Sequence, residues 1–143
     1  MVIRSKIFLK RRILPFFISG HNRSKNGNKQ TNISISSVTL VTQISFDRIS
    51  RIEEICHRWT GPLSVAVYLT DADLVPFIQL LKTEFPCVIK LSSEVQLHLV
   101  FRIGSMYPTN MLRNVAMKYV HTPYVFILDA DFLPFEDFEP LLN

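Results

Sequence analysis

The tripeptide Asp-Ala-Asp occurs twice in this chain, as Asp71–Asp73 in YLTDADLVP and as Asp129–Asp131 in FILDADFLP. Both copies sit at the end of an apolar run. In an extended backbone, side chains two residues apart project the same way, roughly 6–7 Å apart along the chain. Two carboxylates held like that repel each other unless a cation bridges them. A hard divalent ion with oxygen ligands does so, and the same ion can grip a diphosphate. Mg²⁺ and Mn²⁺ suit this ligand type better than Zn²⁺, because His121 is the only Cys or His near the second copy in sequence.

The two copies differ in what surrounds them. In the first, Thr70 separates the apolar run from the acids, and a helical pattern follows at once. Thr70, Asp71 and Asp73 are N-cap candidates, and acids are favoured at a helix start by about 0.3–1 kcal/mol. Capping is therefore a sufficient reason for Asp73, and a good one for Asp71. In the second copy, Asp129 follows the run without a spacer, and Pro134 argues against a helix starting at Asp131. Asp129 and Asp131 are the expected metal ligands. A phosphatase motif of the haloacid-dehalogenase class also places Asp-x-Asp after an apolar strand. It normally has a small hydroxyl or β-branched residue where this chain has Leu133, and catalytic residues further on, so it is the weaker match.

The elements that must hold these acids can be read from periodicity. VTLVTQI (Val38–Ile44) and LSVAVYL (Leu63–Leu69) are short β-branched runs that predict buried strands. Between them, Phe46, Ile49, Ile52, Cys56 and Trp59 recur at helical spacing, with Ser45 as a candidate cap and Gly61-Pro62 as the stop. LVPFIQLLKTEF predicts a helix over 74–85, ended by Pro86, and CVIKL a third strand. VQLHLVFR alternates like a half-buried strand, in which His98 reads as a surface or satisfied core residue rather than a ligand. Pro108 suits the start of a helix with Leu112, Val115, Ala116 and Tyr119 on its apolar face. YVFIL (Tyr124–Leu128) is a final strand, closed by Asp129. This alternation is the pattern of an α/β fold with a mostly parallel sheet covered by helices, in which ligands bind beyond the carboxyl ends of the strands.

The chain has 143 residues, 48% of them hydrophobic and 20% charged, which suits one packed domain rather than a disordered chain. Its formal charge of +4 is unevenly spread. Half of the sixteen Lys and Arg lie in residues 1–30, which hold no acid, so residues 31–143 stand at −4. A nucleic-acid-binding domain carries its basic residues on the folded part, so no nucleic-acid partner is expected. Residues 1–20, MVIRSKIFLKRRILPFFISG, form a basic and apolar leader that reads either as the remnant of a signal-anchor or as a disordered basic segment. Residues 21–37 read as a polar linker. Asn22-Arg-Ser and Asn32-Ile-Ser fit the glycosylation sequon, which matters only on the secretory route. Cys56 and Cys87 lack Cys-x-x-Cys spacing; Cys56 falls on an apolar helix face, where a buried free thiol is expected and a disulfide with Cys87 is the alternative.

The run YPTNMLRNVAMKYVHTPYVFILDADFLP resembles the glucuronyltransferase domain of glycosyltransferase family 49, the family of LARGE-type and β-1,4-glucuronyltransferase domains. VTLVTQISFDRISRIEEICHRWTGPLSVAVYLTDAD is similar to the start of that domain, and the likeness covers about Val38 to Leu142. The resemblance implies a GT-A fold, a Rossmann-like sheet binding a sugar nucleotide, here as a partial domain over residues 38–143 that stops soon after the Asp-x-Asp strand. It implies Mn²⁺ (or Mg²⁺) on Asp129 and Asp131, with UDP-glucuronate as the donor. Asp71 matches the acidic position after the second strand, a place of nucleotide contacts in related folds. Arg113 and Asn114 lie on the helix ahead of the motif, and an arginine facing an anionic donor makes electrostatic sense.

The reaction the resemblance implies is metal-dependent inverting transfer, in its specific form glucuronyl transfer to a xylose-containing O-mannosyl-type glycan on a glycoprotein. The implied setting is the Golgi membrane, type II, with a lumenal domain and an N-terminal anchor. The catalytic base is unassigned; Glu136, Asp137 and Glu139 are available and nothing singles one out. The alternative reading is a non-catalytic fragment or nucleotide-sugar-binding remnant.

Overall fold

The computed structural model describes residues 13–18 and 38–135. Five strands form one sheet: β1 (Ile13–Ile18), β2 (Val38–Ser45), β3 (Leu63–Leu69), β4 (Val95–Phe101) and β5 (Tyr124–Ile127). Between them lie a 3-10 turn (Phe46–Arg48) and four helices: α1 (Arg51–Arg58), α2 (Leu74–Thr83), α3 (Pro86–Lys90) and α4 (Thr109–Met117). The strand order is β1-β4-β3-β2-β5. β1 runs antiparallel to β4, and the other three pairings are parallel. This is the mostly parallel α/β sheet with flanking helices that the sequence predicts, in keeping with a GT-A-like fold.

Alternating residues of each central strand feed two cores. Leu40 and Ile44 of β2, Val65 and Val67 of β3, and Leu97 and Leu99 of β4 share one face with Ile52, Ile55, Trp59, Phe77 and Val88 of α1 to α3. Val41, Ala66, Tyr68 and Val100 meet Leu112, Val115 and Ala116 of α4 on the other. With both faces covered, the central strands need apolar side chains on both sides, hence their continuous β-branched runs. Trp59 ties the first core to the edge of the sheet: its indole N–H donates to the Pro62 carbonyl at 2.9 Å, and its ring stacks on Phe126 of β5 at 6.1 Å between centroids.

Four readings change against this frame. CVIKL is helical, as α3, rather than a strand. Its five residues are too few to show a period, whereas Pro86 at the first helical position is pre-set for a helix start. The Glu53 carboxylate of α1 also accepts hydrogen bonds from the Cys87 and Val88 N–H groups, at 2.8 and 3.2 Å, satisfying donors that the helix leaves unpaired. The sheet strand is β4 alone, and β4 is buried rather than half-buried. Its polar alternation is absorbed internally: His98 is fully buried and lies 3.2 Å from the Ser64 hydroxyl of β3.

The cysteines are joined in a Cys56–Cys87 disulfide that ties α1 to α3, so the expectation of a buried free thiol at Cys56 is overturned. The apolar face argument located Cys56 correctly, but only the α1–α3 contact brings its partner to it. Finally, ILPFFI from the predicted leader forms β1, with Ile13 opposite Val100 and Leu14 opposite Leu99. Residues 1–12 and 19–37, with the rest of the leader and the linker, lie outside the described residues. Among the described residues no helix is long and apolar enough to cross a membrane.

Candidate functional site

The chain runs from β2 outward through β3 to β4, then returns to the far side of β2 as β5. The sheet order therefore reverses between β2 and β5, and the crevice beyond their carboxyl ends is a topological switch point, the usual ligand position in open α/β sheets. A cleft of about 410 Å³ opens there. Gln43, Ile44 and Ser45 from the end of β2 line it, with Asp47 and Arg48 from the 3-10 turn, Tyr107 just ahead of α4, Thr109 and Arg113 from the first half of α4, and Asp129, Ala130 and Asp131 after β5. The volume falls within the range of small-molecule sites, about 300–1,000 Å³.

Local structure explains each placement. β5 is extended by the Leu128 N–H bond to the Val41 carbonyl at 3.0 Å, which leaves Asp129 at the strand's mouth beside β2. Gln43 lies on the α4 side of β2, and its amide donates to Asp129 Oδ1 at 3.0 Å. Arg113, one turn into α4, donates to the same oxygen at 2.5 Å. The Arg113 bond first, and then the Gln43 bond, hold the Asp129 carboxyl below its ordinary range, against the opposing effect of burial. Asp131 is paired with Arg48, which the 3-10 turn carries to the cleft. Beside them the Tyr107 hydroxyl is pushed up to about 12, by burial first and then by the charges of Asp47 and Asp129. Its ring meets Tyr68 edge-on at 5.3 Å.

The two Asp-Ala-Asp copies part company here. Asp73 accepts from both the backbone N–H and the hydroxyl of Thr70, each at 2.7 Å. Its carboxylate thus closes the turn before α2 by bonding back to Thr70, and although Asp73 stands at the N-cap of α2 its side chain makes no capping bond to the helix, because Thr70 occupies it. Asp71 is exposed at the end of β3, and Asn114 is exposed on α4. Neither lines the cleft, whereas Asp129, Asp131 and Arg113 all do. Glu136, Asp137 and Glu139 lie outside the described residues.

The donor set suits a hard divalent ion. Asp129 and Asp131 offer oxygen alone, and each uses Oδ1 for its arginine. The cleft also keeps buried polar atoms without a hydrogen-bond partner, Gln43 Oε1 and Arg113 Nε. Such atoms are costly in an empty site and are satisfied by a polar ligand.

A family model described as glycosyl-transferase for dystroglycan matches residues 37–106 and 103–143. The chain belongs to glycosyltransferase family 49. Its family 49 relatives include the xylosyl- and glucuronyltransferase LARGE2 of Rattus norvegicus, 47% identical over 97 residues, and LARGE1 of Homo sapiens, 46% identical over 99 residues. These stretches are 68% and 69% of this chain, but 14% and 13% of the relatives. LARGE2s of Danio rerio is 38% identical over 131 residues, 92% of this chain and 16% of that protein. The chain thus spans about one seventh of the length of these family 49 proteins.

Sequence reasoning missed Gln43, Arg48 and Tyr107. Gln43 had a signal, as the one long polar side chain in a buried strand. Arg48 had none, since a basic residue after a strand is ordinary until the turn is seen to carry it toward Asp131.

Proposed function

We propose that this chain forms the donor-binding part of a metal-dependent, inverting glycosyltransferase that uses a UDP-sugar. Its finer form is glucuronyl transfer from UDP-glucuronate to a xylose-containing, O-mannosyl-type glycan on a glycoprotein. The proposed setting is the Golgi lumen, with a type II membrane anchor. The observation that carries the reading is the convergence of Asp129, Asp131, Arg113 and Arg48 on one cleft at the sheet's switch point, in a family 49 chain.

Asp129 and Asp131 would hold Mn²⁺ or Mg²⁺. Such an ion, once bound, supplies Lewis acidity to a departing diphosphate. The remaining work falls to the chain's own residues. In this structure two arginines balance two carboxylates. Were Asp129 and Asp131 to hold a cation, Arg48 and Arg113 would be free to meet anionic groups of the donor beside it. Arginine suits a bidentate contact with phosphate or carboxylate. The first turn of α4 adds its positive dipole end to the same side. Gln43 supplies an unpaired carbonyl oxygen for a donor N–H.

A direct test is titration of the purified chain with UDP-glucuronate, with and without Mn²⁺. Binding should require the metal, should fall at least tenfold in Asp131→Ala, and should persist in Asp73→Ala. Metal-independent binding, or equal loss in both variants, would refute the assignment. A nucleotide-sugar-binding remnant without turnover is the second reading. Transfer to a xyloside acceptor separates the two, since a remnant binds donor and forms no product.

A further inference from the structure

A second group of ligand-type side chains lies at the α1–α3 corner, among the helices that cover the sheet. Glu53, Cys56 and His57 occupy positions i, i+3 and i+4 of α1, so they share one face of that helix. Cys87 faces them from α3, with its Cα 6.1 Å from that of Cys56. One ligand atom each from Glu53, His57 and Cys87 lies within 4.8 Å of the others. His57 Nε2 is 3.2 Å from Glu53 Oε1, with the histidine side chain 64% exposed and the glutamate 14%. The corner therefore has a buried sulfur floor and an open imidazole rim.

While the disulfide stands, neither sulfur is a thiolate, and the thiolate is the form that binds metal. Glu53 and His57 alone make a weak pair. Reduction changes the donor set to two thiols, one imidazole and one carboxylate, which is a zinc set. Around a tetrahedral zinc ion, bonds of about 2.0–2.3 Å place ligand atoms roughly 3.3–3.8 Å apart, so the ligand atoms of Glu53, His57 and Cys87 need to draw together by only about 1–1.5 Å, while Cys56 reaches the same ion from its place beside Cys87 once the disulfide opens. Glu53 is already oriented by the Cys87 and Val88 N–H groups, which are the kind of outer hydrogen bonds that fix a metal-binding carboxylate.

We propose that reduction of Cys56–Cys87 converts this corner into a zinc site with Cys56, Cys87, His57 and Glu53 as ligands. The chemistry balances with a dithiol as the reductant. Its two electrons and two protons pass to the disulfide, leaving two cysteine thiols and the dithiol's own disulfide. Zinc then displaces both thiol protons to solvent. The same two helices are thereby stapled in either redox state, by a covalent bond when oxidised and by the metal when reduced. The site is independent of the Asp129–Asp131 cleft, and its sulfur and nitrogen donors select zinc over manganese.

Cobalt(II) is the probe. The whole chain, reduced with a phosphine and freed of it without air, should take up one Co²⁺ with a near-ultraviolet thiolate charge-transfer band and the visible bands of a tetrahedral ion. Zn²⁺ should bleach both. The disulfide-bonded chain should show neither. His57→Ala, a change at an exposed position, should keep the far-ultraviolet circular dichroism spectrum and weaken reduced-state binding about tenfold or more. If reduction melts the chain, added metal should restore the spectrum. The proposal fails if the reduced chain gives no charge-transfer band, if His57→Ala binds equally well, or if metal does not restore a melted chain.

Discussion

At the scale of single residues, charge and burial decide what each group can do. Asp129 meets the Arg113 guanidinium, which depresses its carboxyl pKa, and Asp131 is paired with Arg48. His98 shows the opposite use of a titratable group. Buried beside Ser64 and stacked on Tyr119 at 5.4 Å, its pKa is lowered from 6.5 to about 4 by burial. The unfolded chain therefore binds a proton there before the folded chain does. The stability contributed by the neutral ring is complete above pH 6.5 and is lost as pH falls to about 4, on the order of 3 kcal/mol. In His98→Leu that acid-limb slope should disappear, leaving urea midpoints flatter between pH 6.5 and 4 than in the parent chain. Ser64 keeps its bond to the Ala116 carbonyl at 2.7 Å, so the substitution does not strand the hydroxyl. An unchanged slope would mean that His98 is not the group responsible.

At the scale of elements, the α1–α3 corner shows how tertiary contacts override local pattern. The strand expected at CVIKL becomes α3 because Glu53 and Cys56, more than thirty residues earlier, supply its cap and its covalent tie. Closing a loop with a sequence separation of 31 restricts the unfolded chain by about 3–4 kcal/mol in the chain-entropy account. The double change Cys56→Ser, Cys87→Ser should lower the unfolding free energy by roughly that amount in chemical denaturation. Glu53→Gln should cost about 1 kcal/mol, the scale of a lost helix cap. The long buried strands were legible from their composition. β2 and β3 match the expected runs within a residue, because a strand covered on both faces favours β-branched and aliphatic side chains. α4 was legible for the related reason that Leu112, Val115 and Ala116 must share one stripe. β1 was not, since ILPFFI reads equally as an apolar leader until β4 is seen to pair with it.

At the scale of the whole molecule, the sheet has two unlike margins. β1 closes one side against β4. On the other side β5 has β2 as its single partner among the described residues, and it exposes Tyr124, Val125 and Ile127. Phe132 and Phe135 add to the same exposed apolar region in sequence. An apolar edge strand is a template for association. The isolated 143-residue chain should therefore elute at a size that grows with concentration. Val125→Lys should reduce that growth, because a charge on the edge opposes strand pairing, with circular dichroism checking that the fold is retained. Concentration-independent elution of the parent chain would show that this edge is inert.

The sequence alone determined the strand–helix alternation, the parallel character of the sheet and the paired acids at the end of its last strand. Each of these follows from local periodicity or from residues adjacent in the chain. Tertiary structure alone decided that β5 returns beside β2, and so brings Gln43, Arg48 and Arg113 to Asp129 and Asp131. It also decided that Cys87 meets Cys56. The physical reason is the same in each case: these contacts join residues 16 to 86 positions apart. Separations of that length leave no mark in the local pattern, and only the packing of elements fixes them.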